Sequence, residues 1–187
     1  MARVRIRTVA LPTEHGGWGF TLEPVLLGLL AAWSAAGLLI GLAALGLFLA
    51  HRPARLVLGD LRARRRADRT LAAAAFAAGY GLAAATALGV AFTVTEHPFW
   101  PPLAAAVPLL AIQALYEATR RTRDPVREVI GPAALGSVAA AIGLAGGMDS
   151  TPAFGLWLVL AARVLVSVPY VRAVSYTHLR AHETSSM

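Results

Sequence analysis

The sequence contains no cysteine, no lysine and no asparagine. The first absence removes disulfides and thiolate metal sites. The second leaves all 17 basic residues as arginine; with the abundance of alanine and glycine, this suggests GC-rich coding DNA and a bacterial source. Charge of either sign is scarce, at 14% of 187 residues against 57% hydrophobic, with a mean hydropathy of +0.62. Soluble domains run at about half apolar and a quarter charged, and a soluble fold of this length has too little interior for so much apolar surface. A formal charge of +7 would suit a nucleic-acid partner if the arginines were clustered on one surface. They are split among short segments between apolar runs, so the charge reads as membrane topology and no nucleic-acid partner is expected.

What is present in quantity is long apolar runs. Leu71 to Thr95 and Val129 to Met148 each reach the roughly 20 residues that carry a helix across about 30 Å of hydrocarbon. The stretch Gly16 to Ala50 is too long for one crossing. Arg3, Arg5 and Arg7 precede it, and Arg52, Arg55, Arg62, Arg64, Arg65, Arg66 and Arg69 follow. Arginine collects on the cytoplasmic side, so both ends face that side and the stretch is a hairpin. Helix one is expected over about Gly16 to Ala32, a turn near Ser34 to Gly37, and a short helix two over Leu38 to His51, short enough to need local thinning of the bilayer.

Helix three spans Thr70 to Thr95, followed by an arginine-free Glu96-His97-Pro98 connection. Helix four (Phe99 to Glu117) returns to Arg120, Arg121, Arg123 and Arg127. Helix five (Glu128 to Gly146) ends in another arginine-free turn, and helix six (Ala153 to Val171) returns to Arg172. The class is therefore all-α: a polytopic transmembrane bundle of about six helices, in the bacterial cytoplasmic (inner) membrane, with the N-terminus cytoplasmic. No cleavable signal peptide is expected, because no small-residue cleavage pattern follows a short apolar core.

Composition breaks after Ala173. Val174 to Thr184 reads VSYTHLRAHET, followed by Ser185-Ser186-Met187. That string resembles a translated frame of a sequencing-library adapter. The expectation is one transmembrane domain over residues 1–173, a non-native tail over 174–187, a natural chain continuing beyond Ala173 with further helices or a membrane partner, and no ligand role for the tail histidines.

Candidate chemistry begins at Pro12-Thr13-Glu14-His15-Gly16-Gly17-Trp18-Gly19-Phe20. Trp18 suits the headgroup level, and the glycines allow another helix close by. Glu14, His15 and Glu23 need a different account. Glu23 lies nine residues beyond Glu14, about 13 Å deeper in a helix. An ionisable group at such depth is costly unless paired or protonated, and marks a functional site by default. Arg163 lies nine residues before Arg172, at a similar depth on helix six, and is expected to pair with Glu23. The bland alternative is an ion pair that only docks two helices.

A second cluster lies at the cytoplasmic ends. Glu117, Asp124 and Glu128 sit among Arg120, Arg121, Arg123 and Arg127, and Asp60 and Asp68 lie among the arginines after helix two. Such loops could hold a phosphate or diphosphate directly or through Mg²⁺; the bland reading is solvated charge beside anionic lipid headgroups.

The string LPTEHGGWGFTLEPVLLGLL, the apolar run ending in HRPAR, and LWLVLAARVLVSVPYVRA resemble the YwiC-like family of bacterial membrane proteins, over about Leu11 to Ala173. The resemblance implies a polytopic membrane protein and carries no catalytic assignment. Three functions compete. The first is a permease-like or binding protein that receives a small or amphipathic ligand at Glu14, His15, Gly16, Trp18, Glu23 and Arg163, without a cofactor. The second is an intramembrane prenyltransferase of the UbiA type using Mg²⁺-diphosphate; against it, the chain has no asparagine and Asp60 and Asp68 stand eight residues apart. The third is a non-catalytic membrane subunit.

Overall fold

The computed structural model describes the backbone of residues 15–64, 68–118 and 125–184, and side-chain surroundings over 17–64, 69–116 and 129–167. Helices α1 (His15–Ala31), α2 (Ala35–Arg62), α3 (Asp68–Val94), α4 (Trp100–Ala118), α5 (Pro125–Leu135), α6 (Ser137–Ala145) and α7 (Ser150–Thr184) follow one another with short connections. No strand occurs among the described residues. Gly136 alone separates α5 from α6, so these two form one broken rod and the described residues make six rods. Three segments, Ala35–Arg62, Arg69–Val94 and Ser150–Ser167, are long and apolar enough to cross a membrane; Gly17–Ala31, Trp100–Tyr116 and Val129–Ala145 are shorter apolar helices.

The first hairpin forms as expected, but its second arm is not short. Ser34 holds an extended backbone, and its hydroxyl accepts the Gly37 N–H at 2.9 Å. This is an N-cap that satisfies one of the free donors of a helix start. The turn is thereby confined to Ala32-Trp33-Ser34, and α2 begins at Ala35. The helix then continues past His51 and through Pro53 to Arg62, for 28 residues. A proline within a helix forfeits one backbone hydrogen bond. Here Pro53 is itself buried, so packing supports the run across it. The expectation that helix two ends at His51 and needs a thinned bilayer is therefore corrected.

The other boundaries fall within a few residues of expectation, with two exceptions. The helix expected over Glu128 to Gly146 starts at Pro125 and breaks at Gly136. The last helix extends to Thr184, past Ala173. No proline or glycine lies between Val171 and Thr184, so nothing in the local sequence stops the helix. Helical backbone follows from such propensity whatever the origin of the segment.

The core is α6. Every residue from Ser137 to Ala145 is buried, enclosed by α1, α2, α4 and α7. Small residues make this enclosure possible. A Cβ at Gly28 of α1 would lie 2.8 Å from the Ile142 Cβ and 3.0 Å from the Ala139 carbonyl oxygen, closer than side chains pack. Helix α3, by contrast, packs chiefly against α2 and leaves Leu71 (80% exposed) and Leu82 (71%) outward. In water this surface would be a severe liability; in hydrocarbon it is the expected belt.

The arginine-free connections converge at one end. A Cβ at Gly146 would lie 2.6 Å from the Ala32 carbonyl oxygen, and one at Gly147 would lie 3.4 Å from His97 Nε2. The Thr95 hydroxyl donates to the Ala145 carbonyl at 3.3 Å. The turns after α1, α3 and α6 therefore meet, while Arg62, Arg64 and Arg69 lie at the other end of α2 and α3. This is the alternation expected from the arginines.

Candidate functional site: an ion pair at mid-span

Glu23 occupies the midpoint of α1, eight residues from His15 and eight from Ala31, or about 12 Å from either end at 1.5 Å per residue. Its carboxylate Oε1 is paired with Arg163 Nη1 of α7, as the depth count from the sequence anticipates. Both side chains keep substantial exposure, 37% for Glu23 and 52% for Arg163. They therefore bridge two helices at the molecular surface rather than in the core. A guanidinium carries five N–H donors, so this site has hydrogen-bonding capacity beyond a single N–H···O contact.

Backbone polarity adds to the charge. The residue after Glu23 is Pro24, within α1 and buried, and it has no N–H to give the Phe20 carbonyl one turn earlier. A carbonyl relieved of its helical donor is a ready acceptor. Thr21 contributes no such group. It is buried, and its hydroxyl donates to the Gly17 carbonyl at 3.0 Å within the same helix.

The other expected site residues divide by location. Trp18 is half-buried, with its ring edge-on to Phe48 of α2 at 5.1 Å between centroids; packing accounts for it, and it lies about 7 Å along the helix from Glu23. His15 and Gly16 open α1, but their side-chain surroundings, like those of Glu117, Arg127 and Glu128, lie outside the described residues. Glu14, Arg120, Arg121 and Asp124 also lie outside them. The structure thus joins Glu23 to Arg163 and directs Trp18 towards α2.

The acidic loop after α2 is organised as a clasp. Asp60 is buried, with its side chain 7% exposed. Arg69 donates to its Oδ1 through Nη2 at 2.8 Å and to its Oδ2 through Nε at 3.3 Å, and the Thr70 hydroxyl donates to Oδ2 at 2.7 Å. This fork ties the end of α2 to the start of α3. A carboxylate so engaged is poorly placed to hold Mg²⁺. Among the described residues, no group of three or more histidine, aspartate or glutamate side chains could hold a metal ion.

One polar contact has no clear signal in the sequence. The Trp157 indole of α7 donates to the Ala133 carbonyl at 2.7 Å. Ala133 is among the last residues of α5, whose terminal carbonyls lack helical partners. Gly136 makes the approach possible, since a Cβ there would lie 2.9 Å from Trp157 Cδ1. The Pro132, Gly136 and Trp157 spacing hints at this only once α5 and α7 are known to be neighbours.

The YwiC-like protein family matches this chain over residues 11–143. The match takes in the Pro-x-Glu-His-Gly start and α1 through most of α6, and so includes Glu23 but not Arg163. No curated protein and no solved structure matches the chain. With well over half of its length matched, and with three helices fit to cross a membrane, the chain belongs to the YwiC-like family and is a membrane protein.

Proposed function

We propose that this protein binds, and passes across the membrane, a small or amphipathic ligand that engages the Glu23 and Arg163 pair. It does so in the bacterial inner membrane, with its N-terminus and arginine-rich end in the cytoplasm against anionic headgroups. The observation that carries this reading is the pair itself: opposite charges at mid-span, left partly open on the surface of the bundle. Where two helices need only dock, apolar packing of the same volume serves as well as an ion pair or better. Charges kept at this depth and accessible are the arrangement expected where a polar group is received.

The test is ligand-induced thermal stabilisation of the purified protein in detergent, using a panel of short carboxylates, phosphates and anionic lipids. Wild type is expected to be stabilised by at least one compound, and the double variant Glu23→Gln with Arg163→Gln by none, although it folds. If no compound shifts wild type, or if the shift survives in the double variant, the ligand reading is overturned.

A further inference from the structure

We infer that two copies of this chain associate through the α1 and α7 face, so that Glu23 of each copy meets Arg163 of the other. The inference goes beyond the ligand reading and does not require it. It starts from an electrostatic difficulty: the pair is partly open, and its helical neighbours on the outer surface, Gly19 on α1 and Val166 on α7, are exposed too. Hydrocarbon against such a surface leaves ion-pair hydrogen bonding unsatisfied. A protein surface that covers both members at once pairs them best by presenting charge of both signs at the same depth.

A second copy does so by symmetry alone. Copies inserted with the same orientation are related by a two-fold axis along the membrane normal. That rotation preserves depth and exchanges left for right. Seen from one copy, its Glu23 stands to one side and its Arg163 to the other; directly across the axis from Glu23 is the second copy's Arg163, and the reverse. Because Glu23 and Arg163 touch, they share one depth, so four charges close into an alternating ring. A face carrying charge of only one sign would repel itself under this operation.

Shape agrees with charge. Helices α1 and α7 run in opposite directions through the bundle, so Gly19, four residues from Glu23 towards the arginine-rich end, lies at the depth of Val166, three residues from Arg163 in the same direction. Towards the other end, Leu30 lies at about the depth of Gly155. A Cβ at Gly19 or at Gly155 would meet nothing within 4 Å, so packing inside one chain does not explain glycine at either place. Val166 (73% exposed) and Leu30 (85%) project outward. Each bulky side chain of one copy thus faces a glycine notch of the other, the pattern that brings membrane helices close.

The chain has no cysteine, so single cysteines report proximity without background. Two tagged forms, one Gly19→Cys and the other Val166→Cys, are co-expressed and oxidised in native membranes; both leave the ion pair intact. A disulfide-linked species carrying both tags is expected, in yield far above that from Leu82→Cys on the outer face of α3 paired with either form. Wild type in mild detergent is expected at twice the chain mass, and a charge exchange, Glu23→Arg with Arg163→Glu, is expected to retain dimerisation where Glu23→Arg alone loses it. Absence of the doubly tagged species, a yield equal to the Leu82 control, or a monomeric mass would overturn the inference.

Discussion

Two acid and arginine pairs among the described residues differ in what surrounds them. At the arginine-rich end, Asp60 is buried and receives two N–H groups of Arg69 and the Thr70 hydroxyl. At mid-span, Glu23 meets Arg163 with both side chains partly open. The arginines are equally exposed, at 52% each, so the distinction lies in the acid and in the depth. Asp60 is saturated beside water, where the outer face of Arg69 is solvated at little cost. Glu23 and Arg163 lie within apolar helices, away from the helix ends, and their unused hydrogen-bonding capacity is what the proposed ligand or second copy would take up. One pair closes a hairpin; the other leaves a site.

Breaking each pair separately sharpens this contrast. The largest effect is expected from Arg163→Leu alone, which leaves a carboxylate at mid-span without its cation. A loss of about 3 kcal/mol or more is expected, read as a fall in the denaturation midpoint in mixed detergent micelles. Adding Glu23→Leu should restore most of it; a double variant as unstable as the single one would show that the arginine matters for something other than its partner.

Asp60→Ala should follow, at about 1.5 to 3 kcal/mol, the range for hydrogen bonds to a charged group. Its effect should appear as faster hydrogen exchange at the ends of α2 and α3, with the α1 and α7 contact unmoved. Equal exchange changes in both regions would mean that the two pairs are coupled rather than independent.

Gly28→Ala tests the core between them. Its added methyl meets the Ile142 side chain and the Ala139 backbone, so a cost of about 1 to 3 kcal/mol is expected from overpacking. Unchanged thermal stability would contradict the close seating of α1 on α6. The smallest change should come from Trp157→Phe, which removes the indole donor to Ala133 at a cost of about 1 kcal/mol and should free the α5 and α6 junction to exchange faster.

Much of this architecture is legible in the amino-acid order. The pairing of Glu23 with Arg163 follows from counting residues inward from the arginines, because helical rise converts sequence distance into depth. The meeting of the arginine-free turns follows from the same alternation. Two matters resist such reading. Asp60 presents itself as a candidate for phosphate or Mg²⁺, since a sequence gives its charge but not that Arg69 and Thr70 fold back on it across the hairpin. The full length of α2 is hidden because Arg52 and Pro53 resemble an end, whereas burial of Pro53 carries the helix onward.

The sequence by itself determined the helical class, the gathering of the arginine-free turns at one end and the pairing of Glu23 with Arg163, because hydropathy, charge and helical rise act along the chain. Only the tertiary structure decided that α6 is the core, that α3 is peripheral, and which acid is saturated and which is left open. Those depend on which side chains from distant segments share a volume, and no one-dimensional pattern specifies that.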